Sequence, residues 1–162
     1  MKKGLILFTA VEAAALLGWF FLVGSNSLVA GVAILLAGLV LEHFLAYRTL
    51  VGKNFPIIGL SIISASEAVI WVVWLLITKD HSLPSLLFLA LTMFLQHSIE
   101  RNVFRGNGFF DNLIKLEVAG FTLIEALAAG AWLKFVEQDM GIAGATILAI
   151  GLLVEHIVQS KT

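Results

Sequence analysis

No cysteine occurs anywhere in the chain. That absence excludes a disulfide framework, a thiolate metal site, an iron–sulfur cluster and a nucleophilic thiol. Charge is scarce as well, at 13% of residues, roughly half of the about 25% found in soluble domains. The formal net charge is −1 and no basic stripe runs along the chain, so nucleic acid is not an expected partner. The motifs G-x-S-x-G, H-E-x-x-H and the phosphate-binding P-loop are missing, which removes support for soluble-type hydrolase or NTPase chemistry. Alternating ten-residue segments are missing too, and with them the pattern of a membrane β-barrel.

Apolar sequence takes up the space. Of the 162 residues, 60% are hydrophobic, and mean hydropathy is +1.01. Apolar runs predict spans at 4–24, 27–47, 56–78, 83–103, 113–135 and 141–159, each near the roughly 20 residues that cross a bilayer as a helix. Backbone polar groups in hydrocarbon must be satisfied internally, so helices joined by short turns are expected. The fold class is therefore all-α, with six transmembrane helices in a single polytopic domain over 1–162. Lys2, Lys3, Arg48, Lys53, Arg101, Arg105, Lys115 and Lys161 fall on one side of this arrangement, and only Lys79 and Lys134 on the other. The positive-inside rule then places both termini in the cytoplasm and the protein in the cell (inner) membrane. "MKKGLILFTAVEAAALLG" has the lysines and apolar core of a signal peptide. Glu12 interrupts that core, and the segment is expected to remain as the first helix.

The spans repeat in pairs. "TAVEAAALLGW" (9–19), "SASEAVIWVVW" (64–74) and "TLIEALAAGAW" (122–132) share the pattern [ST]-x-x-E-A-x5-W. "LEHFLAYR" (41–48), "LQHSIER" (95–101) and "VEHIVQSK" (154–161) follow on the alternate helices. Glu12 precedes His43 by 31 residues, Glu67 precedes His97 by 30, and Glu125 precedes His156 by 31. Self-similarity at a fixed period marks a repeat architecture. Three tandem helical hairpins are expected, at about 4–50, 55–105 and 112–160, with pseudo-threefold symmetry. Their outer turns, "GSNS" (24–27), "TKDHSLP" (78–84) and "EQDMG" (137–141), are short, and Pro84 suits the first turn of a helix. His81 lies in such a turn and reads as solvated. "GIAGATILAIG" (141–151) spaces small residues four apart and suits close helix packing.

Each Glu and His of a hairpin are nearly equidistant from its outer turn, so equal depth makes Glu12 the expected partner of His43, Glu67 of His97 and Glu125 of His156. The polar layer falls in the cytoplasmic half of the membrane. Adjacent helical residues point about 100° apart, so Glu42 and His43 are not expected to aim at one centre. Gln96 stands where the other copies have Glu42 and Glu155, which marks the carboxylate before the His as replaceable. Trp19 and Trp74 suit an apolar lid over the polar layer or an interfacial aromatic belt equally. Trp132, near its outer turn, fits the belt better. Arg101 and Arg105 read as topological determinants.

Charged residues at mid-span cost about 2.5–3.5 kcal/mol on insertion scales, whereas polar contacts between membrane helices average only about 0.6 kcal/mol. Helix–helix glue is therefore a weak reason to bury Glu12, Glu42, Glu67, Glu125 and Glu155. Neutral imidazole and carboxylate suit a divalent iron, manganese or zinc ion, with Glu12, His43, Glu67, His97, Glu125 and His156 as candidate ligands and Glu42, Gln96 and Glu155 in support. The same groups form proton relays. The expectation is a Glu/His centre that binds a divalent ion or protons for translocation. A membrane metalloenzyme is the runner-up, although the contiguous pairs depart from the Glu-x-x-His of di-metal bundles. Haem ligation by two of the His residues leaves the Glu residues unexplained. A structural subunit of a larger membrane complex or a homo-oligomer is the remaining alternative.

Overall fold

A computed structural model of the chain describes residues 3–51, 57–77, 83–108 and 110–161. The expectations for Lys2, Lys53, Lys79 and His81 lie outside those residues. The described chain is all helix and turn. Its elements are α1 (Lys3–Gly24), α2 (Leu28–Leu50), α3 (Ile57–Ile77), α4 (Leu83–Arg105), α5 (Leu116–Glu137) and α6 (Gly141–Gln159). All six are long and apolar enough to span a membrane. Pro84 sits in the first turn of α4, where a missing N–H leaves no helical bond unmade. α5 begins at Leu116 rather than 113, because Asn112 has φ 46° and Lys115 is extended.

The chain divides into two compact units, Met1–Val69 and Ile70–Thr162, with the boundary inside α3. In the first unit α1 packs along α2, and in the second α5 packs along α6 and α4 along α5. The turns that close these two hairpins have the same construction. Asn26 (φ 60°) and Asp139 (φ 57°) both adopt the left-handed conformation, which these side chains tolerate better than most. The next residue's N–H then donates back over the helix end, Ser27 to the Leu22 carbonyl (2.8 Å) and Met140 to the Phe135 carbonyl (2.9 Å). That bond is the 6→1 closure of a Schellman turn, and it satisfies a carbonyl the helix leaves orphaned.

Below the turns, small residues let the backbones meet. A methyl group on Gly38 would collide with the Ala15 methyl, and one on Gly151 with the Ala128 methyl. Near the turns the indoles of Trp19 and Trp132 occupy the space that Gly31 and Gly144 leave, with Cδ1 3.1 Å from where each glycine's Cβ would stand. Trp132 is 1% exposed, so the belt expected from its position is not its environment. The facing glycine makes a slot wide enough for the ring, and burying an indole there removes a large apolar area from exposure. Trp19 is equally buried, and Trp74 packs edge-on against Trp71, their centroids 5.6 Å apart.

Exposure is inverted relative to a soluble protein. Phe21, Val29, Leu87, Leu91, Ile142 and Ile150 face outward, while Glu12, Glu42, Glu67, Glu100, Glu125 and Glu155 are buried. An apolar exterior of this extent matches a hydrocarbon surround. The buried carboxylates are the feature that needs an explanation.

Candidate functional site

In the Met1–Val69 unit, α3 buries Leu60, Ile63, Ser64 and Glu67, a stripe at three- and four-residue spacing. Ser64 and Glu67 are therefore neighbours on one face of the helix. The imidazole of His43 docks on both. Its Nδ1 is 3.2 Å from Ser64 Oγ, and its Nε2 is 3.3 Å from Glu67 Oε2. The same Nδ1 is 2.8 Å from the Leu39 carbonyl and 3.1 Å from Glu42 Oε2. A carbonyl can only accept, so Nδ1 carries the hydrogen and donates it to Leu39. In the neutral ring Nε2 then presents a lone pair, and it presents it to a carboxylate oxygen. Glu12 adds a further carboxyl group, with an oxygen within 4.8 Å of one from Glu67.

The Ile70–Thr162 unit repeats the docking with other residues. His97 Nδ1 is 2.9 Å from Thr122 Oγ1, and Nε2 is 3.5 Å from Glu125 Oε2. Thr122 and Glu125 again stand three apart on one helix, here α5. The Phe121 ring packs on the imidazole with centroids 5.3 Å apart. Gln96 is buried beside His97 in sequence. On α6, His156 Nε2 is 3.1 Å from Glu155 Oε2, and both side chains are buried.

Two expectations change. His43 of α2 meets Glu67 of α3, not Glu12 of α1, and His97 of α4 meets Glu125 of α5. Distance from a turn sets depth, but rotation about the helix axis chooses among carboxylates at that depth. The neighbours Glu42 and His43 also touch, as do Glu155 and His156. Their Cα–Cβ bonds diverge by about 100°, yet a glutamate has enough rotatable bonds to bring its carboxylate back to the ring beside it.

Sequence reasoning named the Ser/Thr of the repeat without giving it a partner. Its place three residues before each Glu was the available signal, since that spacing puts both on the face an imidazole can span. A second polar group, at the end of α4, had no such signal. Arg101 Nε is 3.1 Å and a terminal nitrogen of Arg105 3.6 Å from Glu117 Oε1, so both arginines are paired. Lys115 donates to Asn102 Oδ1, Asn102 donates to the Asp111 carbonyl, and Gln159 donates to Glu100 at 3.4 Å. These contacts tie the loop before α5, the start of α5 and the end of α6 to the last turns of α4.

The fold and the site together define a helical membrane protein that buries Glu and His groups inside apolar spans. No family model matches the chain, and neither a curated protein nor a solved structure is detectably similar to it.

Proposed function

We propose that the buried Glu/His groups hold a positively charged species, a proton or a divalent metal ion, and that the protein carries it across the membrane. The observation behind this reading is the approach of His43 Nε2 to Glu67 Oε2 at 3.3 Å, with Nδ1 already committed to the Leu39 carbonyl. A neutral imidazole and an ionised carboxylate facing each other in this way are two lone pairs in contact, which is repulsive unless a proton or cation lies between them. The nearby Glu12 oxygen strengthens the demand, because two carboxylates this close in a dry interior do not both stay ionised without compensation.

The donor set suits a divalent iron, manganese or zinc ion: one imidazole nitrogen and two carboxylate oxygens, all hard or borderline ligands. His43, Glu67 and Glu12 would hold it in the first unit. His97 and Glu125, with His156 in support, are the corresponding residues in the second. A bound ion would supply a fixed positive charge, and the same residues serve a proton equally well, since Glu and His are the usual members of intramembrane proton relays. The matched Schellman turns and the matched Gly–Ala contacts of the first and last hairpins support three homologous hairpins. On this reading the hairpins repeat one cation-holding device, in a cell (inner) membrane protein with both termini cytoplasmic.

Elemental analysis of purified protein, with proton and divalent-ion flux into proteoliposomes, tests the proposal. Wild-type flux that Glu67→Gln reduces at least about tenfold, the scale on which metal-site partners act, is the expected result. Stoichiometric tightly bound metal without flux would move the protein to the metalloenzyme class. Neither metal nor flux, with unfolding the main effect of Glu67→Gln, would leave the pairs a structural role.

A further inference from the structure

The chain has three arginines. Arg101 and Arg105 share Glu117. Arg48, in the last turn of α2, is exposed, and among the described residues no carboxylate pairs with it. Its guanidinium carbon lies instead 5.6 Å from the centroid of the Phe44 ring, one helical turn back. Phe44 is also a wall of an apolar trough of about 340 Å³, lined by Ala37, Leu41 and Phe44 of α2 and by Ile57 and Leu60 of α3. The α2 residues of the wall follow one another at three- and four-residue spacing, so the trough runs along the helix toward Arg48.

We propose that this trough binds an anionic phospholipid, one acyl segment lying along α2 and the phosphate resting on Arg48. Both lining helices are long and apolar enough to span a membrane, where hydrocarbon would be the medium that fills the gap, and an unfilled gap forfeits dispersion contacts. The volume is near the lower end of ligand pockets, which start at about 300 Å³, and suits one chain segment. A second copy of the protein would need a stripe along most of α2, whereas the trough covers only about two turns of it. The guanidinium fork matches phosphate oxygens in pairs, and its stacking on Phe44 holds it at the trough's end. Attraction of anionic lipid to a basic residue beside a span is worth about 1 kcal/mol, or about fivefold in occupancy. This site stands apart from the Glu/His groups and does not depend on what they bind.

Native mass spectrometry of the full chain in detergent, titrated with phosphatidylglycerol, phosphatidylcholine or inorganic phosphate, tests it. The wild type should retain phosphatidylglycerol about fivefold over phosphatidylcholine, and inorganic phosphate should not displace it. Arg48→Gln should erase that preference, Arg105→Gln should keep it, and Ala37→Phe, which fills the trough, should weaken retention of both lipids. Unchanged preference in Arg48→Gln overturns the site, and so does an equal loss in Arg105→Gln, which would reduce the effect to net charge. Displacement by inorganic phosphate would overturn the acyl part by exposing a plain anion site.

Discussion

In the Met1–Val69 unit, His43 Nδ1 has three oxygens within 3.2 Å: the Leu39 carbonyl, Glu42 and Ser64. In the Ile70–Thr162 unit, His97 Nδ1 faces the hydroxyl of Thr122 at 2.9 Å, and Gln96 stands where the first unit has Glu42. Both rings point Nε2 at the glutamate three residues beyond the hydroxyl. The shared geometry shows that an S/T-x-x-E face is a two-point seat for an imidazole. The difference lies in the charge beside the ring. A carbonyl accepts only, so Leu39 assigns the hydrogen of His43 to Nδ1. Glu42 places a carboxylate on that same nitrogen, where the sequence of the second unit has the neutral amide Gln96. On the proposed function, the first ring keeps its lone pair on the cation side.

The most damaging way to break this comparison is to neutralise the carboxylates that the rings face. Glu67→Gln and Glu125→Gln should each lower flux in proteoliposomes at least about tenfold, the two losses agreeing within about an order of magnitude. A variant at either position that transports normally would show that the two seats are not both part of the pathway. Next in size are the packing contacts that hold each hairpin together. Gly38→Ala and Gly151→Ala should each destabilise by about 1–3 kcal/mol, as overpacking does in a tight interior, measured by thermal unfolding in detergent. Equal losses would support equivalent hairpins, and a neutral result at one position would separate them.

A smaller effect tests the hydroxyl half of each seat. Ser64→Ala and Thr122→Ala should each shift the ¹⁵N signals of the imidazole they touch and lower flux within the 10- to 100-fold range of residues that orient a ligand. Unchanged shifts at both rings would reduce the hydroxyls to packing. Smallest of all should be Glu42→Gln, which places before His43 the residue type that precedes His97. Its cost should be about 0.6 kcal/mol or less in unfolding free energy. A large loss would make Glu42 a member of the working site.

Much of the architecture was legible because hydropathy is summed over a whole span and tolerates local error. All six helices lie close to the predicted bounds, and the start of α5 moved only where Asn112 and Lys115 take non-helical conformations. The buried state of Glu12, His43, Glu67, His97, Glu125 and His156 could also be anticipated, since each sits inside an apolar run. Trp132 was misjudged because its nearness to a turn says nothing of the slot opposite Gly144. The polar group around Glu117 and Asn102 was invisible, because its members come from separate segments with no recurring spacing.

The apolar runs and the recurring Glu and His are properties of the linear chain. They suffice for six apolar spans and for ionisable groups placed inside them, because rise per residue converts position along a helix directly into height. Which carboxylate each imidazole meets is not a property of height. His43 takes Glu67 and Ser64 because helix rotation and the packing of α2 on α3 bring those atoms within hydrogen-bond range, while the Leu39 carbonyl that fixes its tautomer lies one turn back on its own helix. Depth was written in the order of residues, and azimuth came from packing.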